Sequence, residues 1–475
     1  MDILPLELVT RIIDIVSYPD PDDERSHKAR LASLALVSKQ WRVIVESQTF
    51  CAIRVESTEL ETFDQVYGGL LGTQRRSCLS DIVLAWTPPG QCRKKWRARS
   101  RHERAAENQR NNESFTAAIR DLFTILASWP YDAKRDRAIA LSIYQKGPLP
   151  ESVKLLAPET IPEVKRIASF RCDEQEIRIG SLPLVASRLP NLQTCHWEYF
   201  NSNEPLNSIR TRRDQFARHL SLLTDSSIRQ AHFTIRTYTP DNEDPETSSL
   251  LLPGHTTDHL SKSLHSFSQS ENLSVLDIHE VIISPALFWP AGNGASTPYW
   301  PNLTILRVTV NPMAADGGWY FEQNPHVTPD NDDDRSSQHG AIYNTTHRFR
   351  AWPSPKMETL LHSMAKAVTR MPALKFFAAG SQMPWPHSID FEFFYLTPGE
   401  KQDLGEPEEG TIFDSNDITK PRLFWRVPRF WRMNESVEKL WKDTLGSEGI
   451  IEYQEWVLGK SYRSEVCKDS TQPSD

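Results

Sequence analysis

The sequence predicts an α/β protein: a short all-helical unit at the N-terminus, then an irregular strand-and-helix body with long loop insertions. Three observations lead there. Residues 3–16 hold nine apolar residues in fourteen at helical spacing. Further along the 475-residue chain, short β-like runs alternate with helical patterns, which favours parallel strands joined by helical crossovers. A short phrase ending in an apolar residue, in the forms Pro190-Asn-Leu192, Asn272-Leu273, Pro301-Asn-Leu303 and Pro372-Ala-Leu374, stands before four of those runs.

The N-terminal unit comes first. Pro5 suits the first turn of a helix, where its missing N–H costs nothing. Leu8, Ile12 and Ile15 form one apolar stripe of that helix; Leu6, Val9, Ile13 and Val16 form a second. A helix apolar on two sides must be covered on two sides. A polar turn from Tyr18 to Glu24 follows, then a helical stretch with Leu31, Leu34, Ala35 and Val37, then a third with Trp41, Ile44 and Val45. Three short helices within 50 residues make a marginal core, so the unit calls for a partner.

In the body, β-like runs are expected at Ile82–Ala85, Ala138–Tyr144, Val164–Phe170, Leu192–Trp197, Arg229–Ile235, Leu273–Ile278, Leu303–Val310, Leu374–Phe377, Phe391–Tyr395 and Leu423–Val427. Helical patterns cover Phe115–Ser128, Arg213–Leu223, His259–Phe267, Met357–Arg370 and Ser436–Leu445. The phrase leucines are spaced by 81, 30 and 71 residues. That fits a degenerate leucine-rich-repeat-like array with insertions, in which units stack because none buries its face alone. A basic insertion is expected over 93–113. Its residues 93–110 hold eight Lys/Arg against Glu103 and Glu107, which reads as a solvated, partly helical insertion or as a nuclear-import or polyanion patch. Residues 239–257, 324–340 and 401–417 read as polar or acidic loops and 464–475 as a frayed tail.

The chemistry of the chain excludes more than it assigns. A net charge of −8 argues against a general nucleic-acid coat protein. The six cysteines form no CxxC pair and read as reduced thiols of a cytoplasmic or nuclear protein. The N-terminus lacks a basic region before its apolar run, so no secretory signal is expected, and no window is apolar enough for a membrane span. No HExxH, phosphate-binding glycine loop or GxSxG elbow occurs. Asp330–Asp334 lacks the glycine and distal glutamate of a calcium loop. Cys195 and His196 are adjacent, so a strand points them to opposite faces. No catalytic residue, cofactor or metal site is assigned, and the chain reads as a non-enzyme. Trp425, Trp431, Trp441 and Trp456 read as core.

The segments Leu4-Pro5-Leu6-Glu7-Leu8, Ile12 and Val16, then Leu36-Val37-Ser38-Lys39-Gln40-Trp41, resemble an F-box. The charged turn between the two halves is longer than usual for that family. The resemblance implies that residues 1–50 form an F-box that docks on a Skp-family adaptor and through it a cullin, with Leu4, Pro5, Leu8, Ile12, Leu34, Val37 and Trp41 at the contact. Residues 51–463 look like the degenerate leucine-rich-repeat body of fungal F-box proteins. The implied function is the substrate-recognition subunit of an SCF-type ubiquitin ligase, presenting a protein substrate through the body. An adaptor-bound F-box protein with a scaffold or regulatory role is the alternative, and an enzyme of unseen type in the body a third reading. Trp197, Tyr199, Phe200, Phe288 and Trp289 are expected mostly in the core. Trp319 and Tyr320, after the loop-like Ala314-Ala-Asp-Gly-Gly318, are the candidate substrate-binding surface residues.

Overall fold

A computed structural model describes residues 5–16, 33–69, 72–89, 100–132, 137–147, 152–173, 177–201, 205–237, 246–290, 297–323, 325, 350–382, 390–400 and 418–456. Leu4, residues 93–99, Asp330–Asp334, the acidic stretch 401–417 and the tail 464–475 lie outside them. So do nearly all of the acidic stretch 324–340 and the whole of the charged turn of the N-terminal unit. Chain contacts divide the molecule into two compact units, Met1–Tyr199 with Asp225–Arg229, and Phe200–Thr224 with Gln230–Asp475. Both are mixed α/β with mostly parallel strands.

In the first unit, α1 (Leu6–Val16) and α2 (Lys39–Thr49) close a small core. Val9 and Ile13 pack with Trp41, Ile44 and Val45, and Leu34 and Ala35 lie against them. The carbonyl of Pro5 accepts from the N–H groups of Leu8 and Val9, which starts α1. Ser38 caps α2 by accepting from the Trp41 N–H at 3.4 Å. The stripe containing Val9 and Ile13 is thus the one that turns inward.

Five parallel strands follow in chain order: β1 (Ala52–Glu56), β2 (Asp81–Trp86), β3 (Ile139–Gln145), β4 (Ile167–Cys172) and β5 (Thr194–Asn201). Their helices are α3 (Leu60–Gly68), α4 (Gly72–Cys78), α5 (Arg101–Ser128) and α6 (Ser181–Ala186). The long α5 starts at a capping box, in which the Ser100 hydroxyl and the Glu103 carboxylate each take the other's backbone N–H. Residues 101–110 of the basic segment form the first turns of this helix, in line with the partly helical reading. Phe115 of α5 meets Trp86 at 5.4 Å between ring centroids. Cys195 is buried and His196 half-buried, on opposite faces of β5.

The second unit orders β6 (Gln230–Thr237), β7 (Val275–Val281), β8 (Ile305–Val310), β11 (Phe376–Gln382), β12 (Asp390–Leu396), β13 (Arg422–Pro428) and β14 (Ile450–Trp456). A separate antiparallel pair, β9 (Phe321–Gln323) and β10 (Arg350–Pro353), sits in the β8–β11 insertion. Its helices are α7 (Leu206–Leu220), α8 (His259–Ser268), α9 (Pro355–Val368) and α10 (Glu435–Leu445). All neighbours are parallel except β12, which opposes both β11 and β13. The residues between Gln382 and Asp390 are too few for a parallel crossover, which needs about a dozen, so the chain turns back. One face of these strands is packed with aromatic rings against the helices: Phe216 of α7 on Phe233, Phe233 on Phe267 of α8, and Trp441 of α10 on Phe393. Trp425 and Trp431 lie in the same core.

The repeated phrase has a structural job. Leu192, Leu273, Leu303 and Leu374 are all buried, and each strand starts two residues later. The asparagine before the leucine reaches back to the preceding turn: Asn191 Nδ2 donates to Lys165 O at 2.8 Å and Asn302 Nδ2 to Glu271 O at 2.6 Å. The long 81-residue interval hides one more such turn. Ile228 is buried before β6, and the Ser227 hydroxyl donates to the carbonyls of Pro190 and Leu192. Here isoleucine stands where the other turns have leucine and serine where three of them have asparagine, so the phrase did not announce itself.

The surface placement expected for Trp319 and Tyr320 is corrected: they are 4% and 1% exposed. Gly317 and Gly318 hold left-handed φ of 94° and 76°, which a β-carbon disfavours. They make a tight turn in which Ala314 N donates to Gly318 O, and Trp319 folds back beside Met313. Trp319 then packs with Leu250, Ile282, Met313 and Ala315. The Tyr320 hydroxyl donates to Ile283 O at 2.8 Å, and burial pushes its pKa up. Trp197, Tyr199 and Phe288 are core as expected. Tyr320→Phe keeps the ring and orphans the Ile283 carbonyl, so denaturant unfolding is expected to show a loss of about 1–2 kcal/mol. An unchanged midpoint would show that the hydroxyl is not buried in solution.

Candidate functional site

Two surfaces stand out. The first is on α1 and the turn before α2. Leu8 and Ile12 are 48% and 38% exposed, Val37 41% and Leu36 87%, and Val43 of α2 is also exposed. Pro5 is exposed, Leu34 half-buried and Trp41 buried. The residues singled out from the sequence thus divide. Pro5, Leu8, Ile12 and Val37 face solvent, whereas Leu34 and Trp41 hold the small core from inside. Leu36 and Val43 were missed as members of the apolar surface.

The second surface is the strand face of the second unit turned away from the helix-packed rings. Pairing register lines up alternate residues in rows across the strands. One row runs His232, Asp277, Arg307, Ala378, Phe394, Phe424, Glu452. The next runs Thr234, His279, Thr309, Gly380, Glu392, Arg426, Gln454. Most of these residues are half-exposed. Phe376, Phe394 and Phe424 stack as neighbouring rings at 6.4 and 6.3 Å, and the guanidinium of Arg307 lies 5.4 Å over Phe376. A groove of about 100 Å³ follows β11, lined by His279, Arg307, Thr309, Ala378, Gly380, Glu392 and Phe394 among others.

At one edge of the groove β7 carries a bulge. The register slips between His279 and Val281, and Glu280 takes a left-handed φ of 54°. For a residue with a β-carbon that conformation costs about 1–2 kcal/mol. It sets Glu280 beside Arg236, with Nε and Oε1 3.1 Å apart. Bulges re-aim side chains in this way.

Asp277 is the electrostatic centre. Its carboxylate meets His232 Nδ1 at 3.1 Å and His279 Nε2 at 3.2 Å. Burial pushes the Asp277 carboxyl up, but the hydrogen bonds from the two imidazoles outweigh it and hold the group far below the usual carboxylate range. The same hydrogen bond to Asp277 raises the His279 pKa, against the opposing effect of burial. A lowered acid stabilises the fold above its unfolded value and loses that contribution as pH falls toward its folded value. A raised histidine stabilises below its unfolded value and loses that contribution as pH rises through its folded value. Both are present between about pH 4 and 6.5, the ordinary values of the two groups. The unfolding free-energy difference between wild type and Asp277→Asn should peak there and narrow by pH 8. A difference independent of pH would refute the ion pair.

None of His232, Asp277, His279 or Arg307 was singled out in the sequence. A signal existed: β6, β7 and β8 carry polar residues at every second position between apolar ones, the mark of strands with one open face. What groups those residues is strand register, which the local pattern does not contain. The chain matches no protein-family model, and no curated protein matches it.

Proposed function

We propose that the protein is an F-box substrate receptor, whose N-terminal helices dock on a Skp-family adaptor and whose leucine-rich-repeat-like body captures a protein substrate for a cullin-based ubiquitin ligase. The observation that carries the reading is the split of α1: Val9 and Ile13 close the small core while Leu8 and Ile12, like Leu36 and Val37 before α2, are exposed among the described residues. A unit this small gains by lending such a face to a partner. The recurring turns and the open strand face support the repeat-like reading of the body. In this role the protein forms no bond itself. It holds the substrate's lysine near the charged ubiquitin carrier, removing much of the entropic cost of their encounter.

The test is a titration of the full chain with a Skp-family adaptor, followed by measuring the turnover of a captured protein with and without cullin. Binding with cullin-dependent turnover supports the receptor. Binding without turnover marks a scaffold or regulatory subunit. No adaptor binding by the folded chain would remove the F-box reading and turn attention to an activity within the body.

A further inference from the structure

We propose that the groove along β11 seats an acidic segment of the captured protein, with a carboxylate side chain on Arg307 and a neighbouring apolar side chain against Phe394. The proposal deepens the substrate-receptor reading and rests on it for the nature of the partner; the ligand chemistry comes from the groove.

The floor is Ala378 and Gly380, the small residues of β11. Gly380 has no room for a side chain: a β-carbon there would lie 2.6 Å from Glu392 Cβ and 2.9 Å from Phe391 O. Small residues on the middle strand, between larger ones on β8 and β12, produce the trough. An apolar cavity of about 150 Å³ takes benzene. A trough of about 100 Å³, open to solvent, therefore suits one aliphatic side chain. Phe394 offers it an apolar wall continuous with Phe376 and Phe424.

Charge chooses the rest of the ligand. The acids beside the groove are already engaged: Asp277 by two histidines, Glu392 by Arg426 at 2.7 Å, and Glu280 by Arg236. Arg307 is exposed, is propped on the Phe376 ring, and has no carboxylate at ion-pair distance among the described residues. A basic segment would place like charge against it. A wholly apolar one would bury its approach without pairing it, which is costly. A nucleic acid would need a run of open cations, whereas Arg236 and Arg426 are paired and Arg422 donates to the Glu400 carbonyl at 2.6 Å. An acidic–apolar protein segment satisfies both the guanidinium and the trough.

The test uses the full chain and three fluorescein-labelled octapeptides of alternating sequence: glutamate–leucine, lysine–leucine and glutamate–serine. Anisotropy should show the glutamate–leucine peptide binding at least tenfold more tightly than the other two. Arg307→Glu and Ala378→Phe should each weaken it at least tenfold, and Arg307→Glu should reverse the preference toward lysine–leucine, with melting temperatures unchanged. Equal binding of the glutamate–leucine and lysine–leucine peptides, or binding indifferent to both substitutions, would overturn the proposal. An adaptor titration on the same preparation separates the two readings. Adaptor binding without peptide selectivity discards the groove alone. Peptide selectivity without adaptor binding discards the receptor and leaves the groove's chemistry standing.

Discussion

Replacing Leu8 and Ile12 together with alanine is expected to leave the chain folded and to weaken adaptor binding by well over tenfold. Both side chains are half-exposed in the isolated protein, so truncation removes little native packing. Alanine is also the best helix former, so α1 itself should not suffer. If the adaptor covers this stripe, each residue becomes a buried anchor, and truncating such an anchor commonly costs about 2 kcal/mol or more. A loss of 1.4 kcal/mol is already about tenfold in affinity. Val9→Ala is the contrasting control. Val9 is fully buried beside Trp41 and Ile44, so its truncation should lower the stability of the helical unit first and binding only as a consequence. Unchanged adaptor affinity in a folded Leu8/Ile12 double variant would sink the docking reading.

Arg213→Met is expected to destabilise the second unit by about 3–5 kcal/mol, because it leaves a buried carboxylate without its cation. Arg213 of α7 and Asp258 are both 5% exposed. Arg213 Nη2 donates to both Asp258 oxygens, at 3.2 and 3.1 Å, and to the Ile282 carbonyl at 2.7 Å. Asp258 also caps α8, accepting from the Ser261 N–H at 3.1 Å and the Ser261 hydroxyl at 2.6 Å. That hydroxyl in turn accepts from the Ser284 N–H at 2.8 Å. One knot therefore ties α7, the start of α8 and the segment after β7. Asp258→Ser keeps a capping oxygen while removing the charge, so adding it to Arg213→Met should recover part of the loss. A double-mutant cycle by urea unfolding should show a coupling of about 0.5–3 kcal/mol. Strict additivity would mean that the two groups do not meet in solution.

This knot also shows where local reading of the chain stops. Asp258 followed by an apolar-periodic stretch is a visible helix start, and α8 was expected almost at its true bounds. Nothing near Asp258 indicates that its counter-ion lies 45 residues earlier. The same contrast holds across the fold. Ten strands were expected from short apolar runs between turn residues, whereas β1, β9, β10 and β14 were not. The turn phrase exposed four leucine-led strand entries but missed Ile228. The inward-turned stripe of α1 and the exposed one were both legible as stripes, since helical period is a local property.

Which stripe faced inward and the burial of Trp319 and Tyr320 were settled by packing. Trp319 and Tyr320 follow a glycine pair that any local reading takes for a surface loop, and only the cluster around Ile282 and Leu250 draws Trp319 in. The candidate groove is the strongest case. Arg307, Ala378 and Phe394 sit far apart in the chain and adjacent in space because successive strands keep one register. Composition and periodicity therefore decide where helices and strands begin and which side chains can share a face, because those depend on neighbours a few residues away. Which faces meet, and which charges and rings lie side by side, depend on non-local pairing, and only the folded chain brings those residues within reach of one another.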